Sequence, residues 1–319
     1  SLLFSLAIPA QAIESGIHAG AWRGPLIQKN LFARVLVLFC IASYLDRSPS
    51  KLWNGLRLLT VLLCILLIVL SNSKSGLAIL ILLLGFIILQ RFIYRLFLKN
   101  PITLVPALCA TLLATISALG MIVFNADTLV GIFGKSLTLS GRTTIWSALI
   151  TKISERPLLG YGYEGFWKGI YGESSYVGKV FGTTYIPPHS HNGILELTLA
   201  FGFIGLGFFL VSFFANMKFS LSLPVFLKSY ESYWPLVYLC FLVLYNQTES
   251  TLVSHNSIFW ALYVSLTFSK ANALIKTSID NQSIDHQSID YQSIDSPTNR
   301  DSMNPLPSPH SSSQVARNE

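Results

Sequence analysis

Apolar runs too long to be core strands constrain this chain most. Ile102–Phe124 and Ile194–Ala215 run more than twenty residues each; the first carries no charged side chain and the second only Glu196, near its start. At about 1.5 Å of rise per residue, about 20 residues cross the hydrocarbon of a bilayer. Only helices or closed barrels can do so with every backbone group satisfied. The composition agrees: 52% of the residues are hydrophobic and 12% charged, about half the charge of an ordinary globular domain. That argues against an ordinary cytosolic enzyme and against a disordered chain.

Five further runs complete a seven-span reading: Leu31–Leu45 (carrying Arg34), Leu52–Leu70, Leu77–Phe97, Tyr233–Tyr245 and Ser257–Ser269. The shorter ones must borrow flanking residues or tilt. The expected class is an all-α polytopic membrane protein with about seven or eight transmembrane helices. The stub Leu2–Ile13 and the opening Ser1 suggest that earlier spans are missing, so residues 1–30 read as a partial span and an outer loop. Residues 31–124 hold membrane helices, 125–192 a large outer loop, 193–270 further helices and 271–319 a tail.

The net charge of +7 is uneven: the first 275 residues carry +10 and the last 44 carry −3. Basic residues in short loops between spans are topology signals rather than a nucleic-acid surface. Arg47, Lys51 and Arg57 fall in one loop, Arg91, Arg95 and Lys99 in another, Lys218 and Lys228 in a third, and Lys270 and Lys276 after the last span. Placing all four in the cytoplasm puts Trp22–Asn30, Ser71–Ser75, Asn125–Asn192 and Asn246–Asn256 together on the opposite side. The tail repeats Gln-Ser-Ile-Asp at 282–285, 287–290 and 292–295. Its period of five fits neither helix nor strand, and its composition is that of a disordered cytoplasmic segment. Cys40, Cys64, Cys109 and Cys240 lie in apolar runs without metal-like spacing and read as small core residues.

The chemistry should sit in Asn125–Asn192, which holds ten glycines and ten aromatic residues. Such a loop is too long for a simple connection. Ile145, Trp146, Leu149, Ile150 and Ile153 mark an amphipathic helix over Ser140–Arg156, ended by Pro157. It either lies on the membrane surface or packs on neighbouring spans. Arg142 in its first turn opposes the helix dipole, so it reads as a ligand-facing cation. His189-Ser190-His191-Asn192 leads into the next span. Two histidines are a start toward zinc, but no third or fourth ligand is evident in sequence, so no metal is expected. A histidine at the membrane surface suits a general base on a hydroxyl. Glu164 reads as a solvated carboxylate.

Gly141-Arg142-Thr143-Thr144-Ile145-Trp146, Glu155-Arg156-Pro157-Leu158-Leu159-Gly160-Tyr161-Gly162, His189 through Glu196, and Gly202-Phe203-Ile204-Gly205-Leu206 resemble, in that order, the O-antigen ligase and O-antigen polymerase family. Ser71 to Gly76 resembles that family's short polar turn, and Trp22-Arg23-Gly24 with Lys29-Asn30 resembles its exopolysaccharide-production branch. The resemblance implies a GT-C-like, inverting glycosyltransferase of the bacterial inner (cytoplasmic) membrane. It would take a polyprenyl-diphosphate-linked glycan as donor, with a glycan or a lipid core as acceptor, and would need neither cofactor nor metal. With no metal, cations must stabilise the departing diphosphate. His191, Arg142 and Lys74 are then the expected catalytic set. Arg156, His189, Asn192, Glu196, Arg23 and Lys29 are expected to bind substrate. Polymerase is preferred to ligase because of the Trp22–Asn30 segment. Two other readings stay open: a transporter or flippase of lipid-linked glycan, and a non-catalytic partner of polysaccharide export or chain-length proteins.

Overall fold

The computed structural model describes residues 1–270 except 16–17, 48–49, 98–100, 125–139, 181, 183–185, 228 and 253–256. The repeat-bearing tail and the first part of the large loop lie outside the described residues. Ser1–Phe268 form one unit.

Among the described residues the architecture is helical, with a single isolated bridge between Ile13 and Trp22. Two short helices, α1 (Leu2–Ala7) and α2 (Pro9–Ala12), precede the long ones. Then follow α3 (Lys29–Leu45), α4 (Lys51–Leu70), α5 (Lys74–Phe97) and α6 (Pro101–Phe124). The loop contributes α7 (Ser140–Glu155) and α8 (Ser175–Val180). The chain continues as α9 (Gly193–Leu227), α10 (Trp234–Asn246) and α11 (258–270). Among the described residues, three helices are long and apolar enough to cross a membrane, over Lys51–Leu70, Lys74–Leu96 and Gly193–Pro224. The span Pro106–Ala118 within α6 is a shorter apolar segment.

The surface explains the composition. Helix α4 buries only Cys64, Leu67 and Ile68, while Leu52, Leu56, Leu58, Leu59, Leu62, Leu66 and Val69 are exposed. Helix α9 likewise exposes Phe203, Phe208, Val211 and Phe214. Exposed apolar area on that scale needs a partner, and lipid supplies it. This is an integral membrane protein.

Helix α10 is the centre of the bundle. It packs against α3, α5, α6 and α9, and Leu236 through Leu242 are all buried. In lipid, such association rests on close packing and internal hydrogen bonds rather than on expulsion of water. Cys40, Cys64 and Cys240 are buried free thiols within this packing. At one end, the Arg47 and Arg91 guanidiniums lie over the Tyr230 ring at 4.4 and 4.0 Å. The Arg47 N–H donates to Glu231 at 3.1 Å. At the other end, α10 finishes at Asn246 and delivers the segment that carries the site.

The loop helix α7 turns its stripe inward. Ile145, Ala148, Leu149 and Ile153 pack with Phe166, Val177 and Leu199, while Ile150 stays exposed. Lys152 fastens the loop by reaching Glu155 and Glu173, each at 2.8 Å.

Helix α9 is broken at Gly202, whose φ is +65°. In an unbroken helix the N–H groups of Phe203 and Ile204 would bond to the carbonyls of Leu199 and Ala200. Here those carbonyls accept from Tyr161 and Gly162 at 2.9 and 2.8 Å. Phe203 and Ile204 donate instead to Pro157 and Leu158 at 2.7 and 3.3 Å. The segment 157–162 is thus inserted into the ladder, and these four freed backbone groups find partners in it, as a buried break requires. Only glycine fits this crossing. A Cβ on Gly160 would lie 2.5 Å from the Leu199 carbonyl oxygen, and one on Gly202 would overlap Leu158.

Candidate active site

The starts of α3, α5, α7 and α9 meet the end of α10. The loop charges lead to the expectation that all five of these helix ends lie on one side of the membrane. Asn246 builds the meeting point by bonding the Leu242 carbonyl and Thr251 through its Nδ2, while its Oδ1 accepts the Thr251 N–H. Gly193 lies so close that a Cβ there would overlap Asn246. This turn presents Glu249, which is 2% exposed.

Glu249 gathers the cluster. Its Oε2 lies 3.5 Å from His191 Nδ1, 3.9 Å from His189 Nε2 and 3.8 Å from Arg34 Nη2. Its Oε1 accepts from Asn30 Nδ2 at 3.1 Å, and Asn30 Oδ1 accepts from Ser73 Oγ at 3.1 Å. The polar turn before α5 is therefore wired to the carboxylate. Burial would push the Glu249 carboxyl up, but His191, Arg34 and His189 outweigh it and hold it at about 2. Arg142, in the first turn of α7, is half-buried and within electrostatic reach of Glu249 and His189. Burial pulls its guanidinium below the usual range and Glu249 partly restores it.

The two histidines play unequal parts. His189 Nδ1 accepts the His191 backbone N–H at 3.2 Å, so the neutral ring carries its proton on Nε2. Burial and the neighbouring His191 push His189 down to about 4. The imidazoles lie 4.1 Å apart. His191 sits at φ +53°, a left-handed conformation that costs a bulky residue energy and marks functional positions. Its Nδ1 is buried and makes no hydrogen bond among the described residues, for 3.5 Å to Glu249 is an approach without good bonding geometry.

The other residues singled out in sequence fall around this cluster. Asn192 caps α9, its Oδ1 accepting from Ile194 and Leu195. Glu196 takes the Trp167 indole N–H at 2.6 Å and the Ser190 N–H at 2.9 Å, holding the His-Ser-His backbone. Trp146 adds a bond to the Ser190 carbonyl at 3.0 Å. Arg23 ties its own loop together through the Gln11 and Ile27 carbonyls. Lys29 meets Glu14 through its N–H and Asn72 through its Nζ. Arg156 is exposed over the Tyr161 ring at 4.8 Å, and Lys74 is exposed at the start of α5.

Sequence reading missed Glu249 and Arg34. A signal existed for both. Arg34 stands inside an apolar run, where an ionisable residue calls for a partner. Glu249 is the only acidic residue between Ser232 and Ile279. The expectation that the histidines lack a third ligand is corrected: Glu249 supplies one, with the three donor atoms within 4.8 Å of one another. The set matches two-histidine, one-carboxylate zinc chemistry. Arg34 and Arg142 beside the same carboxylate oppose a divalent ion, because like charges in a buried site are costly to bring together.

Fold and site define a class: an integral membrane protein with a buried ion-paired histidine site beneath a folded polar loop. Residues 59–210 match the model of the O-antigen ligase family, so this region of the chain is similar to that family. The exopolysaccharide production protein ExoQ of Rhizobium meliloti (strain 1021) is 27% identical over 215 residues, covering 64% of this chain and 48% of that relative. The chain spans about half the length of the curated relative it matches. Lys74, Arg142, Arg156, His189, His191, Asn192 and Glu196 lie inside the matched region, whereas Arg34 and Glu249 lie outside it.

Proposed function

We propose that the protein is a membrane glycosyltransferase that moves a glycan from a polyprenyl-diphosphate-linked donor to a sugar hydroxyl, at the outer face of a bacterial cytoplasmic membrane. The observation that carries this reading is the convergence of His191, His189, Glu249, Arg34 and Arg142 at one end of a lipid-facing bundle. It is a base beside a carboxylate, with two guanidiniums at hand. Helices α3, α5, α6, α9, α10 and α11, with α4, are the spans, and the tail is cytoplasmic.

The chemistry follows from the charges. The acceptor oxygen forms the bond to the anomeric carbon of the donor. The bond from that carbon to the diphosphate oxygen breaks, and its electron pair leaves with the diphosphate. The acceptor proton passes to His191. Glu249 is the positioning residue: its carboxylate stabilises the imidazolium that forms. Arg142 and Arg34 face the leaving diphosphate, where a preorganised cation is worth about 10²–10³ in rate. Lys74 adds charge at the neighbouring turn without a bidentate fork. Within this class we favour polymerisation of exopolysaccharide or O-antigen repeats over ligation to a lipid core.

The test is a deletion strain complemented with His191→Ala or Arg142→Ala, with lipid-linked intermediates analysed. Accumulation of single lipid-linked repeats in both variants supports a polymerase. Long unattached chains indicate a ligase. Full-length polymer from both variants at normal protein level refutes the site.

A further inference from the structure

Beside the cluster, on the loop side of His189, lies a cavity of about 410 Å³. This is the size class of small-molecule sites. Its walls come from Glu164, Trp167, Lys168, His189, Glu196 and Ser250, and its floor is the inserted crossing of Gly162 with Leu199 and Ala200. The walls are held: Trp167 and Ser190 fix Glu196, and Ser190 Oγ bonds Ser250 Oγ at 3.0 Å. Glu164 is fixed at φ +53°, a strained conformation for a residue with a side chain. Two carboxylates face one ammonium here, whereas Arg34 and Arg142 lie with Glu249 beyond His189. A diphosphate would be repelled from the cavity and drawn to the arginines. An uncharged, hydroxyl-rich ligand suits carboxylate, ammonium and hydroxyl partners around an indole and a phenyl ring.

We propose that this cavity is the acceptor subsite, holding the terminal sugar of an uncharged saccharide whose attacking hydroxyl passes His189 to reach His191. The assignment rests on the transfer reaction proposed above. It deepens that reading by dividing the two substrates: the anionic lipid diphosphate at the arginines and the neutral saccharide end in the cavity. The hydroxyl delivered past His189 loses its proton to His191 as its oxygen bonds the anomeric carbon.

The test uses the full chain in bilayer nanodiscs. The probe is the repeat-unit oligosaccharide released by mild acid from the lipid-linked intermediates of the source cells, with binding read by saturation-transfer NMR. The wild type is expected to bind it. Glu164→Gln combined with Lys168→Met weakens binding about tenfold, the loss expected for charged hydrogen-bonding partners. Binding of polyprenyl diphosphate stays within about twofold, and an unchanged melting temperature verifies the fold. Glu164 is exposed, so its substitution should not disturb packing. Oligosaccharide binding unchanged in the variant, or absent from the wild type, overturns the subsite, as does weakened diphosphate binding. A wild type that binds the oligosaccharide through Glu164 and Lys168 yet forms no glycosidic bond leaves the saccharide site standing and refutes the transferase reading instead.

Discussion

Glu249 Oε2 and His191 Nδ1 approach to 3.5 Å inside a pocket where the carboxylate is almost wholly buried. Fifty-eight positions separate them in sequence, and the contact exists because α10 ends where α9 begins.

That pairing predicts the effect of Glu249→Gln. The amide keeps the Asn30 hydrogen bond but loses the charge that stabilises a protonated His191. Turnover should fall by about 10² or more, in the range of lost acid–base support, with donor KM changed far less. A packing role alone would lower protein level and leave the rate per molecule intact. Glu249→Asp should recover part of the rate. Steady-state transfer by purified protein decides it.

Arg142 offers a second test. Arg142→Ala should cost about 10²–10³ in rate. Arg142→Lys should recover only part, because an ammonium lacks the planar fork that fits a diphosphate. Equal rates for Lys and Ala would show that charge at this position does not matter.

The crossing of 157–162 with α9 predicts steric failure. Gly160→Ala and Gly202→Ala should each destabilise by more than about 2 kcal/mol, since a Cβ meets backbone and the φ angles are positive. The two residues serve one crossing, so the double variant should lose less than the sum. Thermal melting in detergent measures this.

Acid should weaken the fold in two windows. His189 is held at about 4, below its usual 6.5. The unfolded chain therefore takes up a proton first as pH falls. Stability is full above about 6.5 and declines toward pH 4, by about 3 kcal/mol for this group. Glu249 is depressed from 4.5 to about 2, so its contribution is present above about 4.5 and is lost as pH falls toward 2. Melting temperature against pH reads both windows, and His189→Gln should remove the upper one.

The arginines beside Glu249 predict that stripping divalent ions with a chelator leaves the transfer rate within about twofold. A rate lost to chelation and restored by zinc would give His189, His191 and Glu249 a metal role.

Much of the helical framework was legible, because apolar length is a local property. The run Leu52–Leu70 became Lys51–Leu70, and the stripe through Ile145, Leu149 and Ile153 became the buried face of α7. Arg142, His189 and His191 were legible through residue type and family pattern, and the structure draws them together. Asn192 and Glu196 were expected to bind substrate; the contacts they make, capping a helix and anchoring a backbone, depend on where neighbouring N–H groups fall.

The sequence by itself determined a lipid-embedded helical protein with a polar loop bearing histidines, since runs of apolar residues and clusters of polar ones need no partner to be recognised. Only the tertiary structure decided that Glu249 and Arg34 share the site and that segment 157–162 enters the broken ladder of α9. Both are contacts between segments far apart in the chain. A buried charge or an opened hydrogen-bond ladder is tolerable only where folding brings its complement.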